Sequence, residues 1–412
     1  MVNIAVLGYG TVGSGVVEVL KTNLDSISKR AGKEIKVKYI LDIRQFDDEE
    51  INGILTNNIE NILEDDDVKV IVEVMGGVEP AYTYVKRALE SGKSVVTSNK
   101  ELVAKHGAEL LRLAREKNIN FLFEASVGGG IPIIRPLNQS LTADEIFEIT
   151  GILNGTTNYI LSKMKSDGMD FDTVLKKAQD KGYAERNPEA DVEGHDACRK
   201  IAILSSLAYG RHVDYEDIYT EGITKISQED IAYAKELDHE IKLLATSKKV
   251  DDHIYARVCP MLLDSEHPLA TVNGVFNAIF VKGNVIGDVM FYGKGAGKLP
   301  TASAVVADVV DAVKHVERNI MSIWSRKKMD LMEIEDVPSK VFIRVAYDSY
   351  DDAMATVKEL FDVKHIVRLD ELDDEFAITT EPMKEKEMQL QVEKLTNSKD
   401  VKEVRNFIRI ES

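Results

Sequence analysis

Acids and a lysine crowd around turn residues between Ala178 and Lys200, in AQDKGYAERNPEADVEGHDACRK. Gly182 can end one helix, and Asn187-Pro188 makes a turn. A second helix then carries Asp196 and Lys200, four residues apart and so on one face. Acids just before and inside a helix start, with a lysine one turn on, can fix the polar end of a small substrate and offer it a proton. The same pattern also describes a solvated helix start with an ordinary surface ion pair. Its meaning depends on what the rest of the chain places around it.

The N-terminal half supplies a scaffold. Asn3 to Leu7 is a short apolar run of the kind found in buried parallel strands. Gly8-Tyr9-Gly10-Thr11-Val12-Gly13 follows at once, and SGVVEVLKTNL then has helical spacing. A GxGxxG between strand and helix lets a pyrophosphate meet backbone N–H groups at a helix N-terminus. A second strand, 35–43, brings Asp42 to its end, where an acid can accept from the ribose 2′-OH of NAD. Arg44 follows and can instead pair with the 2′-phosphate of NADP, so the two residues point to different cofactors. Strands at 68–77, KSVVT and INFLF alternate with helices beginning EPAYTY and ELVAKH. That alternation implies a doubly wound, Rossmann-type parallel sheet.

Two stretches in this half invite chemistry. Ser98-Asn99-Lys100 sits at the carboxyl end of a strand, where open α/β sheets place ligands, so Lys100 can face the nicotinamide. It also reads as a helix cap followed by a surface lysine. Glu124 to Pro132, EASVGGGIP, offers backbone carbonyls and a carboxylate, which are hard ligands for a cation. A hinge between domains explains the same glycines.

Beyond Pro136 the pattern changes to a mixed α/β block over 137–292. EIFEITGIL reads as a strand, NGTTNYILSKMKSDG as a capped helix, and EDIAYAKELDHEIKLLATSKK as one long amphipathic helix. GKGAGKLPTASAVVADVVDAVKHV then opens on a glycine loop and carries small residues on all sides, so it is read as a buried helix returning to the first domain over 293–319. Residues 320–337 read as a linker, and 338–412 alternate β-α-β-β-α-β, the ferredoxin-like order.

Composition bounds the rest. The 412 residues carry 44% hydrophobic and 30% charged side chains, which suits a globular chain of several domains. A net charge of −18 argues against nucleic-acid and acidic-membrane partners. Cys198 and Cys259 make no disulfide framework. The start, MVNIAVLGYG, has no basic n-region, and no apolar run is long enough for a bilayer. The expectation is a cytoplasmic protein acting on a small molecule.

AxxxGYAExNPxxDVxGxDxxxK, GILNGTTNYIL, VTSNK, EASVGGGIPI and GAGxxPTASAV, in that order, resemble the homoserine dehydrogenase family over most of the chain. The resemblance implies NAD(P)H-dependent reduction of L-aspartate 4-semialdehyde to L-homoserine, and the reverse. It implies that Lys200 is the acid/base group, that Lys100 assists it, and that Glu185, Asp191 and Asp196 hold the substrate. Glu124, Val127, Gly129 and Ile131 match a loop that binds a monovalent cation, sodium or potassium, largely through backbone oxygens, and Gly297 matches a loop lying against the cofactor. The last block is similar to an ACT domain, which implies an amino-acid effector or a dimerising role. Such modules commonly carry a glycine turn after their first strand, where this chain reads YDSYDDAMATV. A homodimer or homotetramer is expected. Two other readings stay open: an oxidoreductase acting on another amino-acid-derived carbonyl, and a cofactor sensor, which would need no proton donor near Glu185.

Overall fold

The structure is a computed structural model that describes every residue except 252, 322, 323 and 412. Strands β1 (Val2–Leu7), β2 (Ile35–Leu41), β3 (Leu55–Thr56), β4 (Val68–Glu73), β5 (Ser94–Thr97) and β6 (Phe121–Leu122) form a parallel sheet in the order β3-β2-β1-β4-β5-β6. Helices α1 (Thr11–Thr22), α2 (Leu24–Ala31), α3 (Glu49–Asn52), α4 (Glu60–Leu63), α5 (Ala81–Glu90) and α6 (Lys100–Glu116) connect the strands. Four residues of β1 and four of β4 are wholly buried, as strands covered on both faces must be. The strand order reverses beside β1, which is where such sheets hold a dinucleotide.

The chain continues through β7 (Ile146–Ile152), α7 (Gly155–Asp167), α8 (Phe171–Asp180), α9 (Glu189–Val192), α10 (His195–Tyr209), β8 (Arg211–His212), β9 (Tyr219–Thr220), α11 (Gln228–Glu236), β10 (His239–Val250), β11 (His253–Asp264), β12 (Phe276–Gly283), β13 (Gly287–Lys294), α12 (Lys298–Lys314) and β14 (Ser325–Lys328). It ends with β15 (Pro338–Ala346), α13 (Tyr350–Leu360), β16 (Val363–Val367), β17 (Glu375–Thr380), β18 (Met383–Lys384), α14 (Glu385–Thr396) and β19 (Glu403–Ile410). Two compact units result. One comprises 1–149, 199–216 and 281–329, and the other 150–198, 217–280 and 330–412.

This division departs from the expected boundaries. The first unit takes in 199–216 as well as the returning helix α12, because Ser325 and Met329 donate backbone bonds to Gly210 and His212. The expected linker therefore contains a strand, β14, paired with β8; residues 322 and 323 of it lie outside the described residues. The C-terminal block has the expected ferredoxin-like order β19-β15-β17-β16, but it clusters with part of the middle of the chain.

In the second unit β10 and β11 pair along twelve residues, and β11 runs beside β19. Ile152, Leu244, Cys259, Met261, Ala278 and Phe280 share one core there. A second core lies under α13 and α14, among Val341, Ile343, Val345, Phe376 and Met388. The long helix expected from EDIAYAKELDHEIKLLATSKK is corrected to a short one and a strand. Ser227 and Asp230 form a capping box at the start of α11. Asp238 then takes a left-handed conformation (φ 59°), and the chain leaves as β10. No described helix is long and apolar enough to cross a membrane.

Candidate functional site

The nucleotide end is built from Gly8, Gly10, Thr11, Val12 and Gly13. A Cβ on Gly13 would lie 1.9 Å from the Gly8 carbonyl oxygen, so the turn into α1 closes only with glycine there. Above Gly10 there is nothing within 4 Å, and no side chain caps α1. Its first N–H groups are thus left to an anion such as a pyrophosphate, which fits a dinucleotide. Gly297 stands just before α12, whose Lys298 and Ala302 lie 3.0 Å from the Cβ position of Gly15 on α1. The start of α12, which follows Gly297, therefore packs on α1.

Asp42 and Arg44 do not compete, because they bind each other. The Asp42 carboxylate accepts from the Tyr9 N–H at 2.8 Å, from the Arg44 N–H at 3.0 Å, and from Arg44 Nε and Nη2 at 2.9 and 2.8 Å. The Arg44 guanidinium holds Asp42 well below the usual carboxylate range. The Arg44 side chain stays 57% exposed and lies over Phe46, which meets Tyr9 edge-on.

At the carboxyl ends of β4 and β5 sits a buried acid. Glu73 accepts from the Thr97 hydroxyl at 2.6 Å and the Met75 N–H at 2.8 Å, and burial pushes its carboxyl up. Asn99 caps α6 by accepting from the Leu102 N–H at 3.1 Å and also donates to the Gly77 carbonyl at 2.6 Å. Lys100 is the first residue of α6 and is half-buried. Its neighbour Glu101 meets Arg199, the residue before Lys200 on α10, at 3.9 Å. Lys200 is 9% exposed.

The glycine loop after β6 is compact rather than hinge-like. Val127 and Ile131 are buried, the Ile131 N–H donates to the Gly128 carbonyl at 2.9 Å, and Gly129 has a positive φ of 57°. The Glu124 carboxylate accepts the N–H groups of Ile133, Ile134 and Arg135 at 2.6–2.8 Å. Its side chain is therefore spent on the backbone, and a cation here would be left with carbonyl oxygens. The Glu124 N–H donates to Asp308 at 2.8 Å, and Arg135 binds the same carboxylate at 2.7 Å. Among the described residues no cluster of three or more His, Cys, Asp or Glu side chains suits a metal.

The three acids expected to hold a substrate separate into two groups. Asn154, just before α7, donates through one NH2 to Asp191 at 2.7 Å and to Asp196 at 2.9 Å. Its Oδ1 caps α7 by accepting from the Thr157 N–H at 2.9 Å. Asp196 is buried on α10, one turn before Lys200. Glu185 is exposed on the loop between α8 and α9, and its carboxylate makes no hydrogen bond among the described residues.

Sequence reasoning missed Asn154 as a bridge, Glu73, and Asp308. Asn154 is visible only as a helix cap in ILNGTT. Glu73 carries one signal, a lone acid inside an apolar strand, while its partner Thr97 lies 24 residues away. Asp308 stands with Asp311 as the two acids of an Ala/Val helix.

A profile described as "Homoserine dehydrogenase, NAD binding domain" matches residues 8–124, and one described as "Homoserine dehydrogenase" matches 132–310. Homoserine dehydrogenase of Synechocystis is 40% identical, over 99% of this chain and 99% of that protein. The crystal structure of a homoserine dehydrogenase from Thiobacillus denitrificans superposes with a TM-score of 0.92 at 37% identity, over 100% of this chain and 98% of that one. A hyperthermophilic archaeal homoserine dehydrogenase in complex with NADPH gives 0.65 at 31% identity, over 76% of this chain and 97% of its own. The chain belongs to the homoserine dehydrogenase family.

Proposed function

We propose that this chain reduces L-aspartate 4-semialdehyde to L-homoserine with NAD(P)H, reversibly, and that Lys200 is the acid/base group. The observation that carries the reading is a buried lysine on α10, one turn beyond a buried aspartate that Asn154 ties to a second aspartate. Bound nicotinamide supplies the hydride to the aldehyde carbon. As that carbon is reduced, its oxygen gains negative charge. The Lys200 and Lys100 ammonium groups stabilise that charge, and Lys200 delivers the proton. In the oxidative direction Lys200 takes the hydroxyl proton. Asp191 and Asp196, with Glu185 at the open side, hold the substrate ammonium.

The Asp42–Arg44 geometry favours NADPH over NADH. Asp42 already accepts from four N–H groups, whereas the exposed Arg44 guanidinium keeps Nη1 for a 2′-phosphate. A monovalent cation, sodium or potassium, is held by carbonyl oxygens of Glu124, Val127, Gly129 and Ile131. The C-terminal block serves as an ACT-like module, for an amino-acid effector or for pairing subunits in a homodimer or homotetramer, and the enzyme works in the cytoplasm.

The test mixes purified protein with aspartate semialdehyde and each reduced nicotinamide, following the loss of nicotinamide absorbance. Lys200→Ala is expected to lower kcat by roughly 10²–10⁴, the scale of a lost general acid. Near-normal turnover in that variant removes Lys200 from proton transfer.

A further inference from the structure

Arg409, on β19, is 1% exposed. Its Nε and Nη2 donate to Glu385 at 2.6 and 3.0 Å, and its Nη1 donates to Glu221 at 2.9 Å. Glu221 also accepts from the Tyr219 hydroxyl at 3.0 Å, and its N–H donates to the Val258 carbonyl of β11 at 2.8 Å. The residues after Glu221 rest on the end of α9. A Cβ on Gly222 would lie 2.3 Å from the Val192 carbonyl oxygen and 2.6 Å from Glu193 Cα, so the two backbones touch. The Ile223 N–H donates to the Val192 carbonyl at 2.9 Å, and the Thr224 hydroxyl donates to Glu193 at 3.1 Å. Residues 222–224 therefore supply partners that the end of α9 cannot find within itself. A four-residue helix has no stability of its own, so its place is set by such contacts. α9 carries Asp191, which Asn154 holds at 2.7 Å.

We propose that Glu221 and Arg409 are positioning residues for the substrate: through Gly222, Ile223 and Thr224 they hold α9, and with it Asp191, in place for the substrate ammonium. The inference rests on the reading of Asp191 as a substrate-binding residue. It makes the last strand of the C-terminal module a support of semialdehyde binding and not of cofactor binding.

Arg409 is a poor test position, because its loss takes both charge-assisted hydrogen bonds from the buried Glu385, leaves it only Arg257 at 3.6 Å, and threatens the fold. Glu221→Gln keeps the shape and removes the charge, and Gly222→Ala wedges the contact with α9 from the other side. Both are expected to raise KM for aspartate semialdehyde roughly fivefold to fiftyfold, the usual range of coupling between sites. KM for the nicotinamide should stay within about twofold, the mark of an effect confined to one ligand. Added to Asp191→Asn, Glu221→Gln should have little further effect, because both act through one group. The proposal is overturned if Asp191→Asn raises the semialdehyde KM while Glu221→Gln and Gly222→Ala do not. It is also overturned if the effects of Glu221→Gln and Asp191→Asn simply add, or if both nicotinamide and semialdehyde KM rise together. If Asp191→Asn itself leaves the semialdehyde KM unchanged, the reading of Asp191 falls, and the proposal with it.

Discussion

Replacing Asn154 by Asp exchanges one NH2 for one oxygen at almost constant size. In the native protein that NH2 faces Asp191 Oδ1 at 2.7 Å and Asp196 Oδ2 at 2.9 Å. After the exchange a third carboxylate faces both. At an effective dielectric near 20, two like charges about 2.8 Å apart repel by about 6 kcal/mol. Such repulsion raises the carboxyl pKa of the cluster above the ordinary carboxylate value. While the three groups share a proton one hydrogen bond survives; once it is lost they repel. The folded pKa of the variant cluster lies above the unfolded one, so its stability is fully present below the unfolded value and is lost as pH rises through the raised folded one. Semialdehyde binding follows the same course, with KM of Asn154→Asp rising at least about tenfold relative to the native enzyme between about pH 6 and about pH 9. Initial rates across that range, with Tm at each pH, measure both effects. Parallel pH profiles for variant and native enzyme would refute the bridging role of Asn154.

Other perturbations separate the remaining parts of the site. Arg44→Ala should lower kcat/KM with NADPH by about 10–100-fold through a lost charge-assisted contact and leave NADH unharmed, since Asp42 is then released to a ribose. Equal losses with both cofactors would sink that assignment. Gly13→Ala should abolish NADPH binding in a fluorescence titration, because its Cβ would lie 1.9 Å from the Gly8 carbonyl oxygen; an unchanged Kd would show that the turn can open. Burial pushes the Lys242 ammonium from 10.5 down to about 8, while its Nζ donates to the Val272 carbonyl and Asn273 Oδ1. Its folded pKa is depressed, so native stability rises with pH between those two values, where only the unfolded chain keeps the proton. Lys242→Met escapes a burial cost of up to about 3 kcal/mol near neutrality, less the two lost hydrogen bonds. Its advantage in denaturant unfolding should shrink between about pH 7 and about pH 10, and an advantage that grows would contradict the burial argument.

Local chemistry was legible in the sequence where local geometry decides it. The glycine turn at Gly8–Gly13, the capped start of α6 at Asn99 and the placing of Asp196 one turn before Lys200 on one helix all follow from spacing. The split between α11 and β10 does not. KELDHEIKLLATSKK has apolar residues placed for either period, and its fate is settled by pairing with β11, a partner made of later residues. Asn154 reads as a cap because Thr157 is near in sequence; its aspartates lie 37 and 42 residues on. The Asp42–Arg44 contact shows the reverse case. Neighbouring residues that promise opposite cofactors resolve the conflict by binding each other, and side-chain directions are not written in spacing.

The C-terminal strand β19 lies along β11, while Arg344 of β15 is buried against Asp230 and Glu375. Cutting the chain near residue 330 would therefore bare a sheet edge and take from Asp230 the Arg344 guanidinium that pairs with it. Gaining or shedding such a tail in evolution is then no matter of splicing alone. The surface beneath has to be rewritten in the same step, which ties the history of the two parts together.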